Sequence, residues 1–194
     1  MLMNRKFAIC LVVGSACSLG TAAWAQATSK PEPPKQEEKS KALSDADRKF
    51  IEDASQGNLS EIALGRLAVQ RAQNDQVKTY GAKLVADHTK AEESLKALAS
   101  KRDVKLPSKL DTSKTPLGRL ESATTEKFDA EYLDNAIKDH EKDVAEFKHQ
   151  AEAASDPELK SWVRHTLPVL EKHLSLAKDL EKKLKLREAP AMAP

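Results

Sequence analysis

Three histidines and one glutamate interrupt otherwise apolar stripes, and they are the residues in this chain with visible potential for chemistry. Steps of four and three pick out the face a helix turns toward a bundle core. One stripe reads Val77, Gly81, Leu84, His88, Ala91, Leu95, Leu98. A second reads Leu133, Ile137, His140, Val144, Phe147, Ala151, and a third Leu159, Val163, Thr166, Leu170, His173, Ala177, Leu180, Leu184. A fourth, Phe50, Ala54, Gly57, Glu61, Leu64, Ala68, puts a carboxylate at the corresponding place, although Ile51, Ile62 and Leu67 widen its apolar face. Each polar residue falls near the middle of its helix, so the four are expected to share one buried level.

Such a layer has two readings. The default is structural: a hydrogen-bonded His/Glu set that fixes register, because buried polar groups need partners. The alternative is a metal site, since imidazole and carboxylate groups converging from four helices suit iron, manganese or zinc. The candidate ligands are Glu61, His88, His140 and His173, with Glu92 four residues after His88 on the same face. An ordinary di-iron centre would need Glu-x-x-His pairs. The positions three before the histidines hold Val85, Ile137 and Leu170, which argues against one. Asp87, Asp139 and Glu171 point away on their own helices and could support the layer only across neighbouring ones. His149 and His165 fall off the stripes and read as surface residues.

The elements that carry these residues are helical. Alternating β-branched runs are missing, and Ala, Leu, Lys and Glu dominate. Ser44 followed by Asp47 resembles a capping box with Asp in place of Glu and opens a helix to about Ala72. Asn74-Asp75 turns the chain into a second helix ending near Lys101. The stretch from Arg102 to about Ala123 holds Pro107, Pro116 and Gly118 and reads as a long connection with room for a helical turn. A third helix runs to about Ala154, and Asp156-Pro157-Glu158 starts a fourth that ends near Leu186. The expected fold is all-α, an antiparallel four-helix bundle of ferritin-like kind spanning 43–186. Its connection between the second and third helices is long enough for a crossover, and the up-down-up-down alternative also stays open.

The ends read differently. Arg5 and Lys6, an apolar run from Phe7 to Gly20, and Ala23-Trp24-Ala25 form a secretory signal over residues 1–25. Export to the periplasm or outer envelope is expected, with a lipoprotein cut before Cys17 as a weaker route. Cys10 and Cys17 are the only cysteines among 194 residues, so cleavage after Ala25 leaves no thiol chemistry. The leader's only charges are Arg5 and Lys6, and 32 Lys+Arg against 30 Asp+Glu becomes 30 against 30. A formally neutral chain with no basic stripe excludes nucleic acid as a partner class. Residues 26–42, rich in Pro, Lys and Glu, read as a disordered linker, and 187–194 as a flexible tail.

The stretch Val77-Lys78-Thr79-Tyr80-Gly81-Ala82-Lys83-Leu84 leading to Asp87-His88 resembles the signature of the domain-of-unknown-function 4142 family. Gly57-Asn58, Glu61, Leu64-Gly65, Phe128-Asp129, Tyr132, His140, and Pro168 with His173 agree with it, over about 43–186. The resemblance implies a ferritin-like bundle in the bacterial envelope and supplies no reaction. With no mature cysteine and no Gly-rich serine motif, hydrolase chemistry has no seat. The reading from sequence is a non-enzymatic module that binds an envelope protein or cell-wall partner. The alternative is a metal-binding protein of stress protection, with iron, manganese or zinc as cofactor. Membrane-surface association through Lys178, Lys182, Lys183 and Lys185 is disfavoured, because Asp179 and Glu181 alternate with them.

Overall fold

The computed structural model describes residues 43–188. The expected signal, linker and most of the tail lie outside the described residues, although the last helix includes Arg187 and Glu188.

Local caps account for the helix starts. Ser44 Oγ accepts from the Asp47 amide at 3.0 Å and opens α1, Asp45–Arg71. Asn74 Oδ1 accepts from the Gln76 amide at 2.8 Å and opens α2, Asp75–Lys101. The connection carries a 3-10 turn at Thr112–Lys114 and the short α3, Leu117–Ser122, before α4, Thr125–Ala153. Asp156 Oδ1 accepts from the Leu159 amide at 2.8 Å ahead of α5, Pro157–Glu188, which begins on the proline. Five α-helices and no strand occur among the described residues.

The capping box is completed on one side only. The Asp47 carboxylate does not turn back to its own helix; it accepts from the Ser155 amide, the Ser155 hydroxyl, the Asp156 amide and Gln150 Nε2. A residue expected to finish a cap instead ties the α4–α5 turn to the start of α1.

Contacts between helices define their directions. Ser55, Asn58 and Gly65 on α1 meet Glu92, His88 and Gly81 on α2, so these two run oppositely. Glu141–Lys178 and Lys148–Glu171 pair α4 with α5 in the same opposed sense, as Ser94–Trp162 and Asp87–His173 do for α2 and α5. The long connection follows α1 from end to end. Arg48 bonds the Asp103 carbonyl, Gln56 the Lys109 carbonyl, and Arg71 the carbonyls of Leu120, Glu121 and Ala123.

The core divides into two apolar clusters. One gathers Phe50, Ile51, Leu95, Phe147, Trp162 and Val163, with the Phe50 and Phe147 rings edge to face at 5.2 Å. The other gathers Leu64, Val77, Leu84, Phe128, Tyr132 and Leu133. On each of α1, α2, α4 and α5 the residues of one cluster give way to those of the other across a short polar step, where Glu61, His88, His140 and His173 sit.

On α1 the expected stripe is buried at Phe50, Glu61, Leu64 and Ala68 but departs from expectation at two positions. Ile51, Ser55 and Asn58 are buried, whereas Ala54 and Gly57 are only half-buried. Ser55 and Asn58 turn inward because Glu92 and His88 on α2 give them partners. Gly65 and Gly81 let the two backbones touch: a methyl group on Gly65 would stand 2.7 Å from the Gly81 carbonyl oxygen.

Candidate metal centre

His88 from α2, His140 from α4 and His173 from α5 meet between the two clusters. Their rings lie 5.4 to 5.8 Å apart, centroid to centroid. One potential ligand nitrogen from each lies within 4.8 Å of the other two. The rings are 4%, 0% and 0% exposed, so solvent does not serve their polar atoms.

The hydrogen bonds determine which nitrogen of each ring carries the proton. Asn58 gives its amide N–H to Glu92 at 3.3 Å, which leaves its carbonyl oxygen facing His88 Nδ1 at 3.1 Å. An oxygen of this kind only accepts, so His88 donates from Nδ1. His140 Nδ1 lies 2.9 Å from the Ala136 carbonyl oxygen and donates for the same reason. His173 donates from Nε2 to Asp87 Oδ2 at 2.8 Å. The nitrogens that remain are His88 Nε2, His140 Nε2 and His173 Nδ1, and none of them has a hydrogen-bond partner. Three protons thus point outward to acceptors, and three lone pairs remain in a dry interior.

Burial also keeps these rings neutral. It pushes His88 down to about 3, with help from the neighbouring His140 and His173, and His140 down to about 4. His173 is lowered as well, burial outweighing the hydrogen bond to Asp87. Its contact with Asp87 is therefore a neutral imidazole donating to a carboxylate. Burial opposes ionisation of Asp87, but hydrogen bonds from Lys83, at 2.7 Å, and His173 hold its carboxyl below the usual range. This carboxylate–imidazole pairing is the arrangement that orients histidines on metals.

Of the five candidate ligands, the three histidines come together and the two carboxylates stand apart. Glu92 is occupied by Ser55 Oγ at 2.9 Å and by Asn58, with Lys96 at 3.5 Å. Glu61 is buried at the expected level but is not part of the converging set. Burial raises its carboxyl well above the usual range, with a further contribution from Asp139 and Asp143. His149 and His165 are exposed, as expected.

Asn58 and Asp87 act on rings of neighbouring helices. Asp87 was legible as a supporter across helices; Asn58 was hidden by the register that placed Gly57 inward. The run Asp47, Ile51, Ser55, Asn58 repeats at helical spacing, and its polar members were the available signal.

Among curated proteins no sequence matches this chain. Among solved structures, a DUF305 fragment from Deinococcus radiodurans is similar with a TM-score of 0.66 at 12% identity, over 74% of this chain and 99% of that one. CopM in its Cu(I)-bound form is similar with a TM-score of 0.63 at 17% identity, over 71% of this chain and 96% of that one. CopM in its Cu(II)-bound form gives 0.60 at 16%, over 71% and 97%. At such identities the likeness speaks for the fold. Residues 32–180 match the family described as domain of unknown function DUF4142, and the chain belongs to that family.

Proposed function

We propose that this protein binds copper(I) in the bacterial envelope, holding one ion on His88 Nε2, His140 Nε2 and His173 Nδ1. The observation that carries the reading is the set of three converging imidazoles whose free nitrogens have no partner. A layer serving packing alone would satisfy its own lone pairs, since each unmet buried group costs about 1 to 3 kcal/mol. A bound ion removes that cost.

The donor set and its surroundings favour copper(I) among metals that take imidazole. Manganese prefers oxygen ligands, and the carboxylates here stand aside. Zinc favours four ligands in a tetrahedron. The three rings are neutral, and the nearby Asp87 charge is balanced by Lys83. An ion therefore brings its whole charge into a dry site, where the solvation penalty grows with the square of the charge. A singly charged ion content with three ligands fits best. CopM, which is similar in fold, has been solved with Cu(I) and with Cu(II), which agrees with copper as the metal, and the choice of Cu(I) rests on the charge and ligand number of the site.

The wider reading is an exported, ferritin-like antiparallel four-helix bundle with a crossover connection. The signal pattern ending in Ala23-Trp24-Ala25 supports export.

The test is anaerobic titration of the expected mature chain, from Gln26 onward and so without Cys10 and Cys17, with Cu(I) against a competing chelator, and with Zn(II), Mn(II) and Fe(II) in parallel. One Cu(I) per chain is expected, lost in His88→Ala, His140→Ala and His173→Ala. Absence of Cu(I) binding, binding that survives the substitutions, or a preference for zinc would overturn the assignment.

A further inference from the structure

The three imidazoles are closed to solvent, so an ion needs a route to them. The seams around the layer differ in what they allow. Between α1 and α2 the backbones meet at Gly65 and Gly81, with no space for even a methyl group. On α4, Ala136 and Val144, one turn to either side of His140, are buried. Between α2 and α5, by contrast, an open groove of about 470 Å³ runs past Ala91, Ser94, Trp162, Thr166 and Val169 to Asp87.

Asp87 belongs both to this groove and to the centre. Its side chain is 20% exposed, yet Oδ2 accepts the His173 Nε2 proton at 2.8 Å. One hydrogen bond therefore separates the groove from a ligand of the centre. Lys83 contacts the same Asp87 oxygen at 2.7 Å, so the carboxylate keeps a partner if His173 leaves. That contact lowers the cost of opening, because an uncompensated charge is not left behind.

Resting on the copper reading above, we propose that the α2–α5 groove is the loading route of the centre. His173, released from Asp87, turns into the groove, takes the ion there and carries it to His88 and His140 as the bond to Asp87 re-forms. Asp87 is thus a positioning residue that latches the loaded ring. The proton on His173 Nε2 stays in place throughout, and no other group has to ionise.

The test uses the same cysteine-free chain from Gln26 onward and Cu(I) supplied as a chromogenic chelator complex, with transfer followed by stopped-flow absorbance. Ala91→Trp and Val169→Trp place bulk in the groove beside Asp87. Ala145→Trp, on the exposed face of α4, is the control. Both groove variants are expected to slow uptake and release alike, by about tenfold. Equilibrium affinity and the control should stay at wild-type values. Groove variants that load at the wild-type rate would overturn the route, as would a loss of affinity that comes only from faster release. Val169 is already exposed, so its replacement carries the test if Ala91→Trp fails to fold. A wild-type chain that takes up no Cu(I) at equilibrium removes the centre itself and the route with it. Normal equilibrium binding with unaltered rates removes the route alone.

Discussion

Asp47 and the three-histidine layer are both buried polar assemblies, and they differ in how their hydrogen-bonding capacity is spent. Asp47 is 1% exposed and its two oxygens accept from Gln150, the Ser155 hydroxyl and the amides of Ser155 and Asp156. Every donor it meets ends on it. The histidines, equally buried, direct their donors to Asn58, Ala136 and Asp87 and leave three acceptors without partners. Both assemblies interrupt apolar packing. Only the first has all its buried polar atoms partnered, and on the copper reading proposed above that difference separates a polar group kept for architecture from one kept for binding.

The comparison is broken most directly at Asp47. Asp47→Ala strands several donors at the α4–α5 turn and is expected to destabilise the fold by about 3 to 5 kcal/mol. Denaturant unfolding measures it, and the folded variant should still bind Cu(I) with wild-type affinity. A neutral substitution would show that the turn does not need its carboxylate.

Acid sharpens the contrast from the other side. Unfolded imidazoles titrate near 6.5, whereas folded His88 and His140 hold out to about 3 and 4. As pH falls below 6.5 the unfolded state takes up protons that the folded state refuses, so the apo fold loses stability in that window. One unit below 6.5 the loss is about 1.4 kcal/mol for each histidine. Glu61 and Asp143 act in the opposite sense. Their folded carboxyls are raised, Asp143 to about 6, so their contribution is present in acid and fades as pH rises. Comparing apo wild type with the double variant His88→Leu/His140→Leu cancels those carboxyls. The gap in stability should widen in the variant's favour from pH 6.5 to 4.5, and a constant gap would mean that the rings are not held neutral.

The smallest effect is the most diagnostic. His140→Leu removes an unmet lone pair from an apolar interior and is expected to raise apo stability by about 1 kcal/mol while abolishing Cu(I) binding. Thermal melts with and without Cu(I) read both outcomes. A clear drop in apo stability would mean that His140 earns its place by packing.

Much of this fold was legible locally. Ser44, Asn74 and the Asp156-Pro157 pair announced three helix starts, because a cap is decided by a side chain and an amide two or three residues away. The stripes through His88, His140 and His173 were equally readable, since burial on one helix follows from spacing alone. The stripe on the first helix holds at Phe50, Glu61, Leu64 and Ala68 and departs by one position at Ala54 and Gly57, because the inward face there is polar at Ser55 and Asn58. Such residues turn inward only when another helix offers Glu92 and His88.

The sequence by itself determined that the described chain is helical, where its long helices begin, and that three histidines lie on buried faces. Tertiary structure alone decided that the rings converge while Glu61 and Glu92 do not. It also decided which nitrogen of each ring is free, and that the long connection climbs along α1. The physical reason is one of range. Helical period and caps are properties of neighbours in the chain, whereas a lone pair's direction depends on acceptors such as Asn58 and Asp87, which reach their histidines across 30 and 86 residues of sequence.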